Sequence, residues 1–149
     1  MYNEQLKALS WPDKHCDDEY EICKRCSPEN SRWNGAKSEL AFRAQEIMHE
    51  TFPQKFNLSS ISNRLFVNKS YLCRAFKKET GMTLLQYYNE IRCNYAKRLL
   101  IHSELGVAYI AIQAGFCDLS QFCHVFKKVV GKTPCEYRRS YFKALKEKQ

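Results

Sequence analysis

Ser70-Tyr71-Leu72-Cys73-Arg74-Ala75-Phe76-Lys77-Lys78 returns fifty residues later as Ser120-Gln121-Phe122-Cys123-His124-Val125-Phe126-Lys127-Lys128. The match continues at the same offset, with Gly81 over Gly131, Thr83 over Thr133 and Tyr87 over Tyr137. Upstream the offset is forty-nine: Ile61-Ser62 lies over Ile110-Ala111, and Val67 over Phe116. One extra residue therefore sits in the turn of the second copy. A solenoid needs about three or more stacked copies, and two are found here. Each copy reads as a short helix, a tight turn, a second helix, a glycine stop and a capped third helix. A short helix, a turn and a second helix is the order of a helix-turn-helix unit.

The flanking sequence is helical throughout. Leu40, Ala44, Ile47, Met48 and Thr51 keep helical spacing as far as Pro53. Asn57 caps a short helix with Leu58, Ile61 and Leu65 on one face. The next helix spans 69–80, with Leu72, Ala75 and Phe76 inward, and stops at Gly81. Thr83 and Gln86 form a capping box that opens a long helix over about 84–101, with Leu84, Tyr88, Ile91, Tyr95 and Leu99 as its inner face. Eighteen residues would span roughly 27 Å. Val107, Ile110 and Ala111 mark a short helix. Asp118 with Gln121 caps the next, which carries Phe122, Val125, Phe126 and Val129 and stops at Gly131. Thr133-Pro134-Cys135-Glu136 supplies an N-cap, a first-turn proline and a box partner. No segment sustains strand alternation.

The second helix of such a unit has to expose a polar face while apolar anchors hold its other face down. Leu72 and Phe76 are one anchor pair; Phe122 and Phe126 are the other. The opposite faces carry Ser70, Cys73, Arg74 and Lys77 in the first copy and Ser120, Gln121, Cys123, His124 and Lys127 in the second. Hydroxyl, amide, guanidinium and imidazole groups read base edges. Lys69, Lys77, Lys78, Lys127 and Lys128 suit phosphates. A single such helix would be read as an ordinary solvated face. Two with the same anchors, the same Lys-Lys pair and the same Gly-x-Thr ending point to double-stranded DNA.

Charge agrees. The chain of 149 residues has 24 basic and 16 acidic side chains. Residues 1–36 are net −2 and residues 37–149 net +10, which suits a polyanion. No apolar run reaches membrane-spanning length. Met1–Trp11 lacks the basic, apolar, small-residue order of a signal peptide. A soluble, cytoplasmic protein without a membrane partner is expected.

Residues 37–141 resemble the DNA-binding domain of the AraC/XylS family of bacterial transcription regulators. The resemblance rests on Ile110-Ala111-Ile112-Gln113-Ala114-Gly115-Phe116, Ser120-Gln121-Phe122, Phe126-Lys127-Lys128 and Gly131-Lys132-Thr133-Pro134-Cys135-Glu136-Tyr137-Arg138. Tyr71 to Met82 repeat it in the first copy, and Arg92, Ala96, Lys97, Arg98, Leu99 and Leu100 match the linker helix. The resemblance implies an all-α, homeodomain-like domain of seven helices. Its units, at about 57–81 and 106–131, would enter successive major-groove segments about 34 Å apart on one face of DNA. The family's base-reading positions fall on Ser70, Cys73, Arg74, Ser120, Gln121 and His124. Binding as a monomer and contact with RNA polymerase are expected. The chain departs from the family pattern at His124, where arginine is usual, and at Phe66, where a small turn residue is common. Cys73 is a poor base reader.

Residues 1–36 form a separate polar segment, and 142–149 a basic tail. Cys23-Lys24-Arg25-Cys26, with His15 and Cys16, has the ligand types for a tetrahedral zinc site. Adjacent His15 and Cys16 are awkward joint ligands, and a redox C-x-x-C wants a thioredoxin-like pattern that is missing. The plain reading is a loose segment with free thiols. A metal- or thiol-responsive regulator, in which this segment controls the DNA-binding domain, is the alternative. Residues 1–36 are too few for a ligand-binding barrel, so a stand-alone small regulator or an output fragment is expected. The other five cysteines, Cys73, Cys93, Cys117, Cys123 and Cys135, are scattered and read as free thiols. An enzyme is not expected: His49, His102 and His124 stand apart from any nucleophile motif, His49 as a surface position and His102 as a helix-end charge.

Overall fold

A computed structural model describes residues 39–148. Among these residues there are seven helices and no strand. They are α1 (Glu39–Thr51), α2 (Leu58–Arg64), α3 (Lys69–Thr80), α4 (Leu84–His102), α5 (Val107–Gln113), α6 (Leu119–Val130) and α7 (Pro134–Glu147). The helix α7 runs on through residues 142–147, where the sequence had set apart a tail. His15, Cys16, Cys23 and Cys26, and with them the zinc reading, lie outside the described residues.

The caps act where the side chains allow. Asn57 accepts from the Ser60 amide at 3.1 Å, which starts α2. Asn68 accepts from Ser70 at 2.8 Å and starts α3. Thr83 with Gln86, and Thr133 with Glu136, close complete capping boxes at α4 and α7. Gly81 and Gly131 end α3 and α6 in the left-handed region, at φ of 77° and 85°, which a Cβ would oppose.

The buried residues form two cores. The first gathers Ala41, Ala44, Ile47, Met48, Ile61, Leu72, Phe76, Leu84, Tyr87, Tyr88 and Ile91. The second gathers Cys93, Ala96, Leu100, Ile110, Ala111, Ala114, Phe116, Phe122 and Phe126. Helices α1, α2 and α3 pack on one another, with α3 against α4; α5, α6 and α7 all pack on α4.

Helix α4 belongs to both cores and serves them with different faces. Leu84, Tyr88 and Ile91 are buried as expected, but beyond them the buried residues are Arg92, Cys93, Ala96 and Leu100. Tyr95 and Leu99, expected inside, are only partly buried. At 100° per residue, Cys93 lies about 200° round the helix from Ile91. The buried stripe therefore changes to a nearly opposite face halfway along. Cys93 sits deep in the second core, where burial pushes its thiol up to about 12; it fills space as a small apolar group. At the far end, Arg138 of α7 donates to the carbonyls of Leu100 at 3.0 Å and Leu105 at 2.7 Å, holding the carboxyl end of α4.

Candidate nucleic-acid interface

The anchors determine which way α3 and α6 face. Leu72, Phe76, Phe122 and Phe126 are fully buried. In the first unit the Phe76 and Tyr87 rings meet edge-on at 5.7 Å, and in the second Phe126 and Tyr137 do so at 5.7 Å. The repeat in sequence is thus a repeat in packing. With the anchors inside, helical geometry turns the remaining positions outward.

On α3, Lys69, Ser70, Cys73, Arg74, Lys77 and Lys78 are all exposed. Arg74 lies back along its helix, its Nε donating to the Ser70 carbonyl at 3.3 Å. That leaves a guanidinium with further donors in a fixed fork on the outer face. On α6, Ser120, Gln121, His124, Lys127 and Lys128 are exposed, while Cys123 is half-buried. Burial and the nearby Cys135 push the Cys123 thiol upward. Every residue expected to read bases or hold phosphates is therefore on one of two outward helix faces. The basic Lys77 and Lys78, and Lys127 and Lys128, lie in the last turns of their helices, where cations are favoured by the helix dipole as well.

The two units differ at their turns. In the first, Phe66 takes the left-handed conformation at φ 55° and leaves its ring 95% exposed. In the second, Gly115 stands at the matching position with φ 81°. The extra residue is Cys117, and it redirects Gln121. Asp118 accepts from the Gln121 amide at 2.7 Å, as a cap should. The Gln121 side chain, however, accepts from the Cys117 amide at 3.2 Å and not from the cap residue itself. Its carbonyl is spent on the turn, and its NH₂ is the part left to reach a base.

Three residues stand differently from the sequence expectation or were missed by it. His49 is half-buried, with its Nε2 3.2 Å from the Tyr87 hydroxyl. Burial lowers its pKa. Arg92, read only as part of the linker helix, is 6% exposed and lies between the two units. Pro53 packs its carbonyl against Gly115, where a Cβ would collide with it. An arginine set among apolar residues in the middle of a long helix was the only available signal. His102 ends α4 and is exposed, as a helix-end charge would be.

A protein-family model described as "Helix-turn-helix domain" matches residues 61–140. The bifunctional transcriptional activator/DNA repair enzyme AdaA of Bacillus subtilis is 32% identical over 117 residues, 78% of this chain and 54% of AdaA. The chain thus spans about half the length of that curated relative. The carboxyl-terminal domain of AraT, a response regulator from Geobacillus stearothermophilus, superposes with a TM-score of 0.67 at 32% identity, covering 71% of this chain and 88% of that one. The DNA-binding domain of the global transcriptional factor AdpA, solved in complex with a target DNA, superposes at 0.64 with 25% identity, covering 70% and 94%. The outward recognition faces, the duplicated packing and these likenesses agree: the chain belongs to the AraC/XylS-type helix-turn-helix family of DNA-binding transcriptional regulators.

Proposed function

We propose that this chain binds double-stranded DNA sequence-specifically and regulates transcription, with α3 and α6 lying in adjacent major-groove segments. The observation that carries the reading is the pair of exposed polar faces, each fixed by two fully buried anchors. Arg74 reads a guanine edge, where its fork is matched by two acceptors. Ser70, Ser120, His124 and the Gln121 amide make the other base contacts, with Cys73 a weak apolar one. Lys69, Lys77, Lys78, Lys127 and Lys128 hold phosphates and supply the salt-dependent part of the affinity. One chain carries both units, so a monomer suffices. RNA polymerase is the further partner that transcription control implies.

The role is regulatory, as in the transcriptional regulators this chain resembles. His49, His102 and His124 sit on three separate helices, and His49 is engaged with Tyr87. No described helix is long and apolar enough to cross a membrane; it is binding to DNA that calls for action in the cytoplasm. The likeness of this chain to regulators lends no support to control by the amino-terminal cysteines.

Two substitutions test the assignment. Arg74→Ala is expected to cost about 1–3 kcal/mol on the preferred duplex and to relax the choice at one base pair. Lys77→Ala should weaken all sequences alike and reduce the salt slope by about one. Equal effects of both on preferred and random duplexes would overturn the division between reading and positioning.

A further inference from the structure

We propose that a clamp centred on Arg92 locks the two units into one rigid body, and that the protein thereby measures the spacing between its half-sites. The second clause rests on the DNA-binding reading above; the first stands without it.

The two cores share only α4, which turns nearly opposite faces to them. Arg92 lies where those faces meet. Its guanidinium carbon is 4.5 Å from the ring centroid of Tyr88, a residue of the first core, and 5.2 Å from that of Phe116, a residue of the second. Its Nη2 donates to the Gln54 carbonyl at 3.4 Å. The Tyr88 hydroxyl donates to that same oxygen. The Nε of Arg92 is buried with no hydrogen-bond partner among the described residues.

Such an arginine is a poor choice for stability. A buried charge with an unfilled donor is costly, and apolar residues of similar volume often replace buried charges without loss. What arginine offers instead is a flat cation that engages two aromatic faces at once. Here one face comes from each core, Tyr88 from α4 itself and Phe116 from the turn of the second unit, while the Gln54 carbonyl brings in the connector that follows α1.

Two further contacts fall beside it. Gly115 packs so closely on the Pro53 carbonyl that no side chain fits. Phe52 meets Tyr95 edge-on at 5.1 Å. Residues 52–54 lie in the connector from α1 to α2, and residues 115–116 in the turn that leads into α6. The connector of the first unit thus bears directly on the element that orients the second recognition helix.

A rigid pair has a consequence on DNA. One added base pair moves a half-site by about 3.4 Å and turns it by about 35°. Linked modules keep their joint affinity only where geometry lets both engage.

The test uses the full chain. Without DNA, residual dipolar couplings of the wild type should fit one alignment tensor for both units. Arg92→Met, which keeps the apolar stem, should require two. On a duplex selected by the wild type, inserting one base pair between half-sites should weaken the wild type by about 100-fold and Arg92→Met by less than about tenfold. Gly115→Ala, which forces the Pro53 contact apart, should behave like Arg92→Met and serves if that variant fails to fold. A single tensor in the variants overturns the clamp. A spacing penalty that they do not relax overturns the ruler. Failure of the wild type to select any duplex would instead overturn the DNA-binding reading, and the couplings would still decide the clamp.

Discussion

The edge of the Tyr87 ring meets Phe76 at 5.7 Å between centroids, with the planes 73° apart. This pair fastens α3 to the start of α4, so it fixes the pitch of the first recognition helix. Phe76 is fully buried, and truncation leaves a cavity that the surrounding helices fill only in part. Phe76→Ala is expected to cost about 3–5 kcal/mol. Val129→Ala, at a position of α6 that is 38% exposed, should cost less than about 1 kcal/mol. Urea unfolding of both variants checks the contrast.

Phe66 presents the reverse case. It holds a left-handed backbone, which a side chain disfavours, and its exposed ring gains nothing from burial. Glycine takes that conformation freely, as Gly115 does at the equivalent place. Phe66→Gly is expected to raise stability by about 0.5–1 kcal/mol, the backbone relief exceeding the greater freedom of the unfolded chain. A fall in melting temperature would show that the ring has a folding role.

Stability should also depend on pH through His49. Burial lowers its folded-state pKa below the ordinary 6.5. As pH falls, the unfolded chain therefore takes up the proton first. The contribution of His49 is complete above about pH 6.5 and is lost as pH drops toward the folded-state value. Melting temperatures of the wild type should fall between pH 7.5 and pH 5.5 by more than those of His49→Gln. Parallel pH profiles for the two proteins would remove His49 from the titration.

Much of this arrangement was legible in the residues. Leu72 and Phe76, repeated as Phe122 and Phe126, specified both recognition helices because anchor spacing and outward face are one fact of helix geometry. Asn57, Thr83 and Thr133 marked their helix starts because a cap is a local interaction. What could not be read was where α4 leaves one core for the other. Leu84, Tyr88, Ile91, Tyr95 and Leu99 make one continuous stripe, and periodicity favours continuing it. The burial of Cys93, Ala96 and Leu100 instead follows from what packs on the second half of α4, which is a tertiary fact. Arg92 was hidden for the same reason: its partners Tyr88, Phe116 and Gln54 are spread over more than sixty residues of chain. Gln121 changed partner because Cys117 lengthens the second turn by one residue, an insertion visible in the repeat whose effect on a side chain was not.

Methylation interference on a duplex bound by the full chain is the most direct measure of two recognition helices in adjacent grooves, since the methyl group at guanine N7 lies in the major groove. Two clusters of interfering guanines on one face of the duplex, centred about 10 base pairs apart, are expected, with Arg74→Ala erasing interference in one cluster alone. A single cluster, or interference spread evenly along the duplex, would contradict paired major-groove insertion.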